Sequence, residues 1–295
     1  MSNFTWEEII IQIRNKPEFR ELVELAYFEE DLVLNVERFK KSEEYAATLK
    51  ILRETYTEGG TIRLADIGAG NGVASAAFAL DGFRVTAIEP DSSLTIGAGA
   101  ITNLKRQLNL ANLDILKAFG ESLPLESGSF DIVYVRQALH HAAKLNEFMK
   151  EAARVLRNGG IMLSVRDHVI YNEKDKKWFL DTHPLHRFYG GENAFTEQEY
   201  RNAILGAGLI ILNCMHHYDS VINYFPESTK IIKDKKKLRQ DNIAKSFKNK
   251  LPGLMCRIPG IKKWYFKRAE SKLEPLLDER KIPGRHISFL LKKPL

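Results

Sequence analysis

At 295 residues the chain is long enough for one large or two ordinary domains, and its 44% hydrophobic and 28% charged residues are typical of a globular protein. No apolar run of about 18 residues occurs, which argues against a transmembrane helix, and the acids in MSNFTWEEIIIQIRNK stand where a signal peptide needs a basic flank, so a cytoplasmic protein is expected. The net charge of +6 is uneven: residues 229–295 hold 20 Lys and Arg against 6 Asp and Glu, leaving 24 against 32 in the rest.

Residues 1–58 read as a helical cap. Thr5 and Glu8 make a capping box, Trp6, Ile9, Ile10 and Ile13 an apolar face, and further helical patterns cover 19–30 and 36–54. From 59 to 220 short apolar strands alternate with helices. Strands are expected at Thr61–Ile67, Phe83–Ile88, Leu113–Lys117, Phe130–Val135, Ile161–Arg166 and Leu209–Cys214. Helices are expected up to Leu80, over 94–109, over 145–156 with Asn158-Gly159-Gly160 closing it, and after the Thr196/Glu199 capping box. This alternation predicts a doubly wound, Rossmann-like α/β sheet. A polar and aromatic stretch interrupts it at 168–195, a basic helical insertion fills 221–284, and 285–295 closes the chain as a strand.

The glycine turn Leu64-Ala-Asp66-Ile-Gly68-Ala69-Gly70-Asn-Gly72 follows the first strand. Glycines there let the backbone turn tightly and approach a ligand closely. A dinucleotide site would place glycine or alanine where Val73 stands, and its pyrophosphate would be repelled by Asp66, whose carboxylate suits a cationic ligand. Glu89 ends the second strand about 20 residues later, where a carboxylate can accept both hydrogen bonds of a ribose. Taken alone, an acid at a strand end is equally a structural commonplace.

Four segments in order, LADIGAGNG, VTAIEPD, GESLPLESGSFDIVYVRQALHH and VLRNGG, make residues 64–160 resemble the class I S-adenosylmethionine (SAM)-dependent methyltransferases. The resemblance is nearest to the type 11 group that includes the ubiquinone and menaquinone C-methyltransferases. It implies a seven-stranded sheet with an antiparallel last strand. It also implies SAM as cofactor, with Asp66, Gly68, Ala69, Gly70 and Gly72 against its methionine part and Glu89 and Pro90 at the ribose. Phe119, Gly120 and Glu121 would flank the adenine, although many members carry an acid where Phe119 stands. Gln137 follows the fourth strand and joins this set.

Acceptor residues are expected where the carboxyl ends of the strands meet the cofactor. His140, His141 and His168 are the candidate proton acceptors, because a neutral imidazole accepts a proton near pH 7. The alternative is that they shape the pocket or cap a helix. Arg166, His183, His186, Tyr189 and Glu192 are the candidate substrate contacts. No metal site is expected: the spacing of Cys214 and Cys256 and of the histidines matches no common ligand set. The segment HPLHRFYGGENAF resembles methyltransferases of bacterial surface-polysaccharide clusters, which implies O-methylation of a sugar or lipid-linked glycan intermediate, a small-molecule acceptor.

Three alternatives stay open: a quinone or lipid C-methyltransferase, an RNA methyltransferase, and a non-catalytic partner protein with the same fold. Against RNA, strand four lacks the Asn/Asp-Pro-Pro-aromatic tetrapeptide, and no cysteine follows strand four or five. The basic section 229–284, with Trp264, Tyr265 and Phe266 among lysines, suits an anionic substrate or a peripheral membrane contact; the alternative is a solvated helix with its aromatics on the core. DNA is not an expected partner, and the sequence leaves the oligomeric state open.

Overall fold

The computed structural model describes residues 5–57, 59–182, 193–224, 226–248 and 278–295. The N-terminal stretch forms α1 (Trp6–Arg14), a short 3-10 turn, α2 (Arg20–Leu25), α3 (Leu32–Lys41) and α4 (Glu43–Thr55). The helix expected over 36–54 is two helices. Ser42 is extended, and its hydroxyl accepts from Tyr45 N to cap α4. The pattern over 19–30 also stops early, because Tyr27 adopts φ 58° and Asp31 then caps α3.

Further on come β1 (Arg63–Ile67), α5 (Val73–Leu80), β2 (Arg84–Ile88), α6 (Ala98–Gln107), β3 (Leu113–Leu116), β4 (Phe130–Arg136), α7 (Leu145–Val155) and β5 (Leu156–Ile170). After these follow α8 (Glu173–Thr182), β6 (Phe195–Thr196), α9 (Glu197–Gly206), β7 (Ile210–Met215), α10 (Thr229–Lys248) and β8 (His286–Lys292). The sheet runs β3-β2-β1-β4-β5-β8-β7, with β6 attached only to β5. β8 is antiparallel to both of its neighbours, and the other pairs are parallel. The doubly wound sheet with an antiparallel last strand is therefore present, and two-residue β6 is an addition to it.

Period-two alternation explains why both faces are covered. Leu64, Ile132, Tyr134, Ile161, Leu163 and Val165 enter one core with α3, α4, α5 and α6. Their neighbours Ala65, Val133, Val135 and Met162 enter the other with α7 and α9. β5 is longer than expected. Leu156 already pairs with Phe130, and the register then jumps to Ile132–Ile161, so Arg157–Gly160 is a bulge inside the strand and not a helix terminus.

Among the described residues no helix is long and apolar enough to cross a membrane. Of the basic insertion, α10 exposes Lys230, Lys233, Lys235 and Lys237. Trp264, Tyr265 and Phe266 lie outside the described residues.

Candidate functional site

The carboxyl ends of β1, β2 and β4 open into one cleft of about 740 Å³. At its base β1 ends in Asp66, which is 1% exposed, and Ser75 Oγ donates to its Oδ2. The turn then passes Gly68, Ala69 and Gly70, all lining the cleft. Gly72 was expected among the cofactor contacts but does not line it. Its φ of 78° caps α5, and a Cβ there would meet Ile101 Cγ1 at 2.7 Å, so its task is to seat the helix.

Glu89 ends β2 and binds back across the turn. Gly70 N donates to its Oε2 at 2.7 Å and Asp91 N to its Oε1 at 3.0 Å. Burial pushes Asp66 up to about 6, and burial pushes Glu89 up to about 7 against the N–H donors of Asp91 and Gly70. Neither carboxylate forms a salt bridge with lysine or arginine among the described residues. Two buried acids without a paired cation fit a positively charged ligand and oppose a phosphate.

Pro90, Phe119, Gly120 and Glu121 form the next wall. A Cβ on Gly120 would fall 2.1 Å from Phe148 Cε2, so only glycine lets the two segments close up here. Phe119 is 69% exposed, and Glu121 Oε1 accepts from Ala143 N at 2.9 Å, which ties this wall to the loop after β4.

The opposite end is built from histidines. Gln137, His140, His141 and His168 all line the cleft. His140 is 2% exposed with its Nδ1 3.1 Å from Asp167 Oδ1, and the Leu139 N–H donates to the same oxygen at 2.9 Å. Burial pushes Asp167 up to about 8 despite its backbone N–H donors. Ring centroids are 4.2 Å apart for His140–His141, 4.9 Å for His140–His168 and 4.5 Å for His168–His286. His286 also lines the cleft, and burial holds its imidazole well below the ordinary range, so it is neutral at pH 7.

Arg166, expected at the acceptor, is fully buried and does not line the cleft. Its Nη1 lies 3.1 Å from Glu44 Oε2 and its Nη2 donates to Gln137 Oε1 at 2.9 Å. Arg136 pairs with the same Glu44 at 2.7 Å. This buried triad fastens α4 to the ends of β4 and β5, so Arg166 is a framework residue. His183, His186, Tyr189 and Glu192 lie outside the described residues. The chain re-enters at Asn193, whose N–H donates to His140 O at 3.0 Å.

The roof comes from the expected N-terminal cap, whereas sequence reasoning missed Glu44 and His286. Leu22, Ala26, Tyr27 and Phe28 from α2 and the turn after it line the cleft. Asn71 Nδ2 donates to Tyr27 O at 2.7 Å, and Thr95 N donates to Glu7 Oε1 at 2.9 Å, so the roof is latched at two points. Glu44 had a signal: it shares one helical face with Thr48 and Leu52, all buried. His286 had one too, since an antiparallel last strand faces His286 with His168.

Residues 65–164 match the family described as a methyltransferase domain. A phthiotriol/phenolphthiotriol dimycocerosates methyltransferase of Mycobacterium ulcerans is 36% identical over 72 residues, 24% of this chain and 27% of that protein. A ubiquinone biosynthesis O-methyltransferase of Caulobacter sp. strain K31 is 34% identical over 103 residues, 35% of this chain and 39% of the relative. The alignments thus span well under half the length of these relatives. Among solved structures, a geranyl diphosphate C-methyltransferase of Streptomyces coelicolor A3(2), held with Mg2+, geranyl diphosphate and S-adenosyl-L-homocysteine, superposes with a TM-score of 0.54 at 13% identity over 84% of this chain and 79% of that one. That likeness is one of fold. Over residues 65–164 the chain thus matches the methyltransferase-domain family, in line with the type 11 group its motifs resemble.

Proposed function

We propose that this chain is a SAM-dependent methyltransferase that O-methylates a small-molecule acceptor with an apolar body, a lipid-linked glycan intermediate being the leading case. One observation carries the reading. A single cleft joins two buried, unpaired carboxyls to a cluster of histidines beneath an apolar roof. When bound, the cofactor supplies a methyl group on a positively charged sulfonium.

Asp66 and Glu89 lie where a positive charge and a ribose are accommodated, and the Gly68–Gly70 turn lets backbone approach them. Leu22, Tyr27 and Phe28 exclude water from above. A hydroxyl acceptor aligned with that methyl group would give up its proton to the imidazole cluster of His140, His141 and His168 as it is methylated. His140 is held against Asp167, which keeps its ring in one orientation for that step. Alignment of the two reactants supplies most of the acceleration.

The relatives named for phthiotriol dimycocerosates and for ubiquinone biosynthesis support an apolar acceptor body and favour a quinol or lipid C- or O-methyltransferase as second reading. Exposed lysines on α10 would meet the phosphate of a lipid-linked acceptor or an anionic membrane face. The test is transfer of labelled methyl from SAM to fractionated cell extract. Label in glycan-lipid supports the leading case, and label in quinones the second. Label confined to RNA, or none in any fraction, overturns both.

A further inference from the structure

A second cluster of chemistry-bearing side chains lies away from the cleft, where α9 meets the edge strand β7. Glu197 is the first residue of α9, Cys214 sits on β7, and His216 follows two residues later, just past the end of that strand. Cys214 Sγ is 3.8 Å from His216 Nε2 and 4.0 Å from Glu197 Oε1, and His216 Nε2 is 3.1 Å from Glu197 Oε2. Zinc bonds of about 2.3 Å to sulfur and about 2.0 to 2.2 Å to nitrogen and oxygen place tetrahedral ligands about 3.3 to 3.6 Å apart. The observed separations bracket that spacing and need only small side-chain shifts to match it.

The surroundings are also those of a metal site. Asp219 Oδ2 accepts from the His216 main-chain N–H at 2.8 Å and stands 3.6 Å from its Nδ1, so a carboxylate lies beside the nitrogen opposite the one that faces Cys214 and Glu197. Arg201 Nη2 bonds Glu197 Oε1 at 2.7 Å and brings one positive charge. A thiolate, two carboxylates and one guanidinium sum to two negative charges, the complement of a divalent ion. His216 and Glu197 keep 31% and 22% side-chain exposure, which leaves an entry path and room for a water ligand.

We propose that Glu197, Cys214 and His216 bind one transition-metal ion of the zinc class, with an open fourth position. As the metal–ligand bonds form, the Cys214 thiol and any His216 imidazolium release their protons to solvent. The bound ion ties α9 to the exposed edge of the sheet. The sequence hid this site because its three ligands come from two elements, 17 and 2 residues apart.

The test uses the full chain, stripped with a chelator and titrated with Co2+ as the probe, followed by Zn2+. One equivalent of Co2+ with thiolate-to-metal charge-transfer absorption, displaced by one equivalent of Zn2+, is expected, together with a raised melting temperature in Zn2+. Cys214→Ser abolishes the charge-transfer band, Asp219→Asn weakens binding about 10- to 100-fold, and Cys256→Ser leaves it unchanged. Absence of the band from folded wild-type protein, or its survival in Cys214→Ser, overturns the proposal. Should Cys214→Ser fail to fold, His216→Asn serves, with unchanged Co2+ affinity as the overturning result. The readout is the metal's own spectrum, so its failure leaves the methyltransferase reading untouched.

Discussion

The two ends of the cleft are built by opposite strategies. The cofactor end is made of backbone and two acids drawn mainly from one continuous stretch, residues 66–91, closed by the short wall Phe119–Glu121. The acceptor end is made of side chains brought from β4, β5, β8 and the N-terminal roof, and Gln137 and His286 lie 149 residues apart in the chain. A backbone cradle leaves its trace in local sequence, because only certain residues permit the turn. A side-chain cluster leaves almost none, because any strand end can carry a histidine. This contrast is why the cofactor half is legible as chemistry and the acceptor half only as location.

The largest test of the contrast targets its frame. Glu44→Gln removes the shared partner of Arg136 and Arg166 and strands buried positive charge. It should cost about 3 to 5 kcal/mol in urea unfolding, the usual effect of breaking a buried ion pair. A loss within the error of the measurement would show that the acceptor end does not depend on this triad.

Next comes the cradle. Glu89→Gln keeps the shape but loses the charge that would accept ribose hydroxyls, and should weaken SAM binding by about 2 kcal/mol, roughly 30-fold, by calorimetry. Equal affinity would remove Glu89 from the cofactor.

The pH dependence is smaller and has a definite sign. Asp66 near 6 and Glu89 near 7 are raised, so the ligand-free fold holds their protons more tightly than the unfolded chain does. Ligand-free stability from these groups is therefore present at low pH and declines as pH rises through 6 to 7. A cationic ligand binds the ionised forms, so SAM affinity should rise over the same interval, by about tenfold per pH unit at most for each group below its pKa. A pH-independent affinity between 5 and 8 would contradict the assignment.

The smallest expected effect sharpens the other end. His286→Phe keeps a ring against His168 and removes its nitrogens. Turnover should fall about tenfold with SAM affinity unchanged, less than the roughly 100-fold or more expected when the proton acceptor itself is lost. A parallel loss of SAM affinity would mean that the two ends are not separable.

Much of the fold was readable because both periodicities are strong. The strands of the central sheet are apolar on both faces, and the capping boxes at Thr5 and Thr196 mark true helix starts. Less readable were the boundaries set by single side chains. Ser42 splits one apparent helix, and the Arg157–Gly160 bulge lets β5 begin where a helix ending was expected. Within the site, Asp66 and Glu89 announce themselves by spacing. Arg166 misled because a polar residue at the carboxyl end of a strand can face a ligand or a buried acid, and only Glu44, 122 residues away, decides between them.

The insertion between β7 and β8 has a consequence in chain entropy. Both strands are held by the sheet whatever separates them, and lengthening a closed loop is cheap, about 0.6 kcal/mol for each doubling. The chain between Thr229 and Asp278 can therefore change in length without loosening the cofactor turn. Every such variant still returns the chain to the sheet opposite His168. A connection of loose length requirement thus ends on an imidazole fixed at the reaction cleft.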